Sequence, residues 1–179
     1  MKSLNQNPVT DAPSSATLLV AGSQVAVSAS FARPANTTAY TALSVVSDST
    51  TAPTILTFAN SARVSGGSGL ILSARHAKSS TTTAAASFRL WLYRATVANI
   101  NDGSQFPLLY ANRTNRFGFI DFTHTTQGTG SDSTSSLVTF VNLPFVATTT
   151  SLFGVLVALG AYVPTSGEQH HIELHIAQN

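Results

Sequence analysis

Gln24-Val25-Ala26-Val27-Ser28-Ala29-Ser30-Phe31 sets Val25, Val27, Ala29 and Phe31 in alternation with Gln24, Ala26, Ser28 and Ser30. Side chains of an extended chain point alternately to opposite faces, so this stretch describes a half-buried β-strand. The same period returns downstream. Phe88, Leu90 and Leu92 alternate with Arg89, Trp91 and Tyr93, and Leu70, Leu72 and Ala74 are expected on one side of residues 70–76, with Ser73 and Arg75 on the other. Residues 54–58 are short and β-branched, and further strands are expected over residues 117–122, 137–143, 152–159 and 171–176. Turn chemistry separates them at Asn101-Asp102-Gly103, residues 127–136, Pro144 and residues 164–167.

No stretch sustains a 3.6-residue period. The nearest, residues 149–161, is β-branched and holds Gly154 and Gly160, and so reads as a strand. Nine or ten short strands without intervening helices point to an all-β, antiparallel β-sandwich. A jelly roll is the preferred topology, with an Ig-like Greek key as the alternative. The strands at 70–76 and 88–93 are expected to form a hairpin whose tip is the Ser/Thr/Ala loop 78–86. Residues 1–15 read as an extended N-terminal arm, and residues 16–179 as a single domain.

The chain has 179 residues and no cysteine, so neither a disulfide framework nor a thiolate metal site is open to it. Charged residues make up 9%, against about 25% in typical soluble proteins, and Ser and Thr together supply about a quarter of the chain. Part of so neutral a surface is expected to face another protein. Nine cations spread along the chain do not make the dense patch that nucleic acid requires, so no nucleic-acid partner is expected. The start lacks the hydrophobic core of a signal peptide. The most apolar stretch, 152–163, is about half the ~20 residues a membrane helix needs, so no membrane association is expected.

Several constellations could carry chemistry. On a strand, His171, Glu173 and His175 share a face opposite Ile172, Leu174 and Ile176, a pattern compatible with a metal site or with a pH-sensitive interface. Same-face neighbours sit ~6.6–7 Å apart, which suits a solvated face better than a closed coordination sphere, so no metal or cofactor is assigned. Asp121, His124 and one of many serines could be assembled into a triad, but no nucleophile elbow accompanies them and no catalytic residue is nominated. Gly66-Gly67-Ser68-Gly69 lacks the rest of a phosphate loop and reads as a turn. Trp91 and Tyr93 are expected to face outward or into a second layer, as interface or sugar-stacking aromatics.

Residues 31–42 (FARPANTTAYTA) resemble a stretch found in structural proteins of tailed bacteriophages. Residues 52–60 (APTILTFAN), 99–103 (NINDG) and 143–146 (LPFV) add to that resemblance. It implies a virion component, a capsid decoration (cement) protein that binds the major capsid protein from outside as a homo-oligomer, a trimer ahead of a dimer. Such a protein is assembled in the host cytoplasm and carries out no reaction. Under that implication the arm would tether the molecule, and loops 78–86 and 125–136 would project outward. The alternative is a receptor- or glycan-binding module using Trp91, Tyr93, Tyr110 and the polar groups of Asn101 and Asp102.

Overall fold

The computed structural model describes residues 23–179, so the expected arm at 1–15 and the start of the domain at 16–22 lie outside the described residues. Ten strands are formed: β1 (Ser23–Ala32), β2 (Val45–Val46), β3 (Leu56–Phe58), β4 (Ser68–Lys78), β5 (Ser87–Tyr93), β6 (Arg116–Thr123), β7 (Thr134–Val138), β8 (Leu143–Val146), β9 (Leu152–Ala158) and β10 (Gln169–Gln178). One antiparallel sheet runs β1-β10-β4-β7, with β8 also on β4; the other runs β2-β9-β5-β6, with β3 also on β9. β2 and β3 are two pieces of one interrupted edge strand, and so are β7 and β8. Eight strands in that order, with the chain repeatedly crossing between two facing sheets, make a jelly roll.

The core lies between the sheets. Ile71, Ala74, Ile172, Leu174 and Ile176 from the first sheet meet Phe88, Leu90, Leu92, Ile120, Phe122, Leu152 and Leu156 from the second. Every residue of β9 is buried, because the strand is covered on both sides. Leu152, Leu156 and Ala158 enter the main core, whereas Phe153, Val155 and Val157 join Val45 and Tyr93 in a second apolar layer. The segment after β5 roofs that layer with Val97, Ile100 and Phe106. A strand buried on both faces loses its alternation, which accounts for the unbroken apolar run. Gly154 is required there: a Cβ would lie 2.9 Å from Leu90 Cδ1 and 3.1 Å from Phe58 Cε2.

Five expectations need correction. β4 and β5 do not form a hairpin, because they lie in different sheets and the loop between them crosses from one to the other. The inward side of β4 is not Leu70, Leu72 and Ala74. Its pairing with β10 slips by one residue, Ser73 standing opposite His175 and Ile71 opposite Ile176. Leu72 is the extra residue of this bulge, so Ile71 is buried on one side of it and Ala74, His76 and Lys78 on the other.

The strand expected at 137–143 is broken. Phe140 (φ 58°) and Asn142 (φ 48°) take left-handed conformations between β7 and β8. Pro144, read as a turn, sits inside β8, a position open to proline because β8 is an edge strand. The low-complexity stretch 125–136 is not loop throughout, because β7 begins at Thr134.

Candidate functional site

His170 precedes Ile172, Leu174 and Ile176 on the inward face of β10; it stands opposite Lys78 of β4, and His76, opposite Ile172, lies diagonal to it. Bringing these strands side by side buries both imidazoles completely. His124, just after β6, completes a line of three. His124 Nε2 lies 3.0 Å from His76 Nδ1, and His76 Nε2 lies 3.0 Å from His170 Nδ1. The line ends at Glu168, whose Oε1 is 3.3 Å from His170 Nε2. That last contact is an electrostatic approach rather than an aligned hydrogen bond, and His170 Nε2 has no other partner. At the opposite end Thr134 Oγ1 is 3.0 Å from His124 Nδ1 and 3.0 Å from the Ser80 carbonyl.

Proton counting fixes the state of this chain. Each N···N contact holds one hydrogen, so neutral rings are satisfied when every imidazole carries its proton on Nε2 and Thr134 donates to His124 Nδ1. One further proton fits, on His124 Nδ1, if Thr134 turns to donate to Ser80. A second extra proton would set two N–H groups against each other. Burial holds the His76 pKa well below its usual value, and the neighbouring His170, His124 and Lys78 add to the effect. Burial likewise lowers His170, against the pull of Glu168, and lowers His124 to about 4. At neutral pH the three rings are therefore uncharged.

Glu168 and Lys78 are the charged members, both fully buried, with Nζ 4.0 Å from Oε2. Lys78 donates to the carbonyls of Ser80 (3.1 Å) and Thr82 (2.6 Å) and lies over the Tyr162 ring. The loop expected to project outward is thus pinned at its base by a buried cation. Burial raises the Glu168 carboxyl, but His170, the Tyr162 hydroxyl (2.6 Å) and Lys78 outweigh it and bring it down to about 2. Burial and the same carboxylate drive the Tyr162 phenol far above its ordinary range.

A second buried lock sits beside the first. Arg33, just after β1, donates through Nε to Tyr40 (2.9 Å) and meets Asp102 Oδ2 at 3.4 Å. Asp102 also accepts from the Tyr40 hydroxyl (2.6 Å) and the Ser47 backbone (3.0 Å). Tyr40 and Tyr162 stand parallel, with centroids 6.4 Å apart, and join the two locks. Together they fasten β1, β2, β4, β10 and the connecting segments at one end of the sandwich.

The outer faces complete the inventory. His171, Glu173 and His175 do share one outward face, as expected. His175 Nε2 is 2.9 Å from Glu173 Oε1, whereas His171 stands 3.9 Å from Oε2 and Arg75 occupies the same carboxylate at 3.5 Å. Among the described residues, no three His, Asp or Glu side chains converge on a metal position. Asp121 and His124 are not brought together: Asp121 forms a two-pronged pair with Arg89 (2.6 and 2.7 Å) on the surface, while His124 is interior. Gly66-Gly67-Ser68-Gly69 is a turn leading into β4, with Gly66 at φ 76°.

Tyr93 is buried in the second layer, and Trp91 is covered by Phe106, Phe119 and the guanidiniums of Arg89 and Arg116. Asp102 is sealed in the Arg33 lock. Tyr110 is exposed, with Arg113 over its ring. The residues nominated for sugar stacking therefore form no common platform. The interior cluster of His76, Lys78, Glu168 and His170 was not singled out in the sequence, although His170 shares strand parity with Ile172 and Leu174, the one signal that places it inside.

No protein-family model and no curated protein matches this chain. The solved structures similar to it include one of Desmodium yellow mottle tymovirus, at 11% identity, covering 88% of each chain with a TM-score of 0.28. A superposition that loose establishes no shared function or topology. The jelly roll follows from the strand order alone.

Proposed function

We propose that this protein is a structural component of a virion, which decorates the outside of a phage capsid and stabilises it by bridging adjacent major capsid protein subunits. The observation that carries this reading is Phe140. It is 85% exposed and held at φ 58° in the kink between β7 and β8. A left-handed backbone costs a bulky residue about 1–2 kcal/mol, and an exposed aromatic recovers none of that in the isolated molecule. Leu137 and Val146, on the flanking strands, are also exposed. Aromatic anchors of this kind dominate protein interfaces when they are fully desolvated.

The rest of the molecule supports a mechanical role. Its charged machinery is buried and already paired, its surface carries few charges to desolvate, and two packed sheets offer a rigid body. Binding free energy from several copies would then oppose internal pressure on the shell through avidity.

The test is a titration of purified protein onto undecorated phage shells, read by light scattering and imaging. Saturable binding is expected. Phe140→Ser should weaken it at least about tenfold, the loss of roughly 1.4 kcal/mol of interface free energy. Wild-type protein that leaves every shell bare would overturn the proposal.

A further inference from the structure

Among the described residues the sandwich has four sheet edges, and three carry features that discourage pairing with another chain. The β7/β8 edge is kinked at Phe140 and Asn142 and contains Pro144. The β2/β3 edge is two pieces of two and three residues. The β6 edge carries Arg116 and Asp121 and is bulged at Phe117. Short strands, kinks, prolines and charges are the usual protections of an edge.

β1 has none of them. Its ten residues, SQVAVSASFA, include no charge and no proline, and all ten pair with β10 without a slip. Among the described residues, no strand pairs with its other side. A groove of about 340 Å³ runs beside that open side, between Ser28–Phe31 and Thr54–Thr57, with Asp48 in its wall.

We propose that β1 is the contact through which a second copy of this chain associates, pairing antiparallel with its counterpart about a twofold axis at Val27. In that register Val25 of one copy faces Ala29 of the other, Ser23 faces Phe31, Gln24 faces Ser30 and Ala26 faces Ser28. Inward residues meet inward residues along the whole strand, and a slip by one residue would set the buried face against the exposed one. The Ser23–Ala26 half of each strand lies along Ser28–Phe31 of the other, beside the groove. An uncharged, slender segment suits a groove with a carboxylate in its wall. The contact rests on the assembly role proposed above and gives it a specific surface. It makes a twofold dimer rather than the trimer that the resemblance favours.

The experiment uses the full chain and two variants at exposed positions of β1. Ala26→Lys with Ser28→Lys places like charges directly opposite across the axis, and Ala26→Cys with Ser28→Cys places two thiol pairs there in a protein without cysteine. Wild type is expected to sediment as a dimer, the lysine variant to raise the dissociation constant about 100-fold or more, and the cysteine variant to cross-link on mild oxidation. A wild type that stays monomeric at high concentration overturns the proposal, and so does a lysine variant that associates like wild type. Absence of a cross-link overturns it even where the lysine variant fails to fold. Loss of association on deleting residues 1–22, with the lysine variant unaffected, assigns the contact to that segment instead. A protein that cross-links at β1 but ignores phage shells keeps this contact and loses the decoration role.

Discussion

His76 and His170 meet edge to edge inside the sandwich: their planes differ by 12°, their centroids are 5.2 Å apart, and Nε2 of one lies 3.0 Å from Nδ1 of the other. The shared hydrogen therefore lies close to both ring planes; a proton gained at His170 Nδ1 would displace it, and one gained at His76 Nδ1 would displace the hydrogen shared with His124.

Acid should loosen this molecule. The folded-state pKa values of His76, His124 and His170 are depressed, His124 to about 4, whereas an unfolded histidine titrates near ~6.5. As pH falls below ~6.5 the unfolded chain takes up protons that the folded one refuses, so stability falls, by up to about 1.4 kcal/mol per pH unit for each such ring. Glu168, depressed to about 2, adds stability above ~4.5 that is lost as pH drops from there toward 2. Urea denaturation between pH 7.5 and 4.5 should show a steady decline in midpoint, and a flat profile would count against the neutral chain.

Lys78→Met leaves the buried Glu168 without its cation and should cost about 3–5 kcal/mol. Lys78→Met with Glu168→Gln removes both charges and should restore much of that loss. The coupling from a double-mutant cycle in urea checks it. Additive losses would mean that the 4.0 Å separation carries little interaction.

Arg33→Lys keeps the charge but discards the fork that serves Tyr40, Asn36 and Asp102 together. A loss of about 1–3 kcal/mol is expected, since at least one buried acceptor is left unmet. Thermal unfolding of the variant measures it, and a melting temperature equal to wild type would show that the lock is ornamental.

Phe140→Gly should separate stability from binding. Glycine accepts φ 58° without penalty, so the isolated protein should gain up to about 1 kcal/mol while shell binding weakens. Chemical denaturation and the shell titration read the two effects independently. Reduced stability would show that Phe140 packs at home rather than waiting for a partner.

The alternation at residues 24–31 and 88–93 located β1 and β5, and turn residues marked most boundaries. The sheet to which each strand belongs was harder to read. The stretch 70–76 followed by 88–93 looks like a hairpin locally, and only pairing with the distant β9 and β10 separates the two strands. The phase of β4 was hidden because nothing in Leu70-Ile71-Leu72 distinguishes a bulge from regular alternation.

The outward cluster of His171, Glu173 and His175 was legible from its spacing. The interior chain was not, because its members come from residues 76, 124, 168 and 170 and acquire meaning only through three-dimensional proximity. Two stretches that drew attention as strings, 31–42 and 99–103, turn out to be tied together by Arg33, Tyr40 and Asp102. Neither string shows by itself that these side chains meet; the lock needs all three residues, brought together by the fold.

The extra residue at Leu72 lets one strand serve two kinds of interior, oily at its beginning and proton-bearing at its end. Were all eleven residues of β4 paired in strict alternation, without that slip, one half of the strand would be inside out, stranding either Ile71 in water or the imidazole and ammonium groups that hold the far end closed.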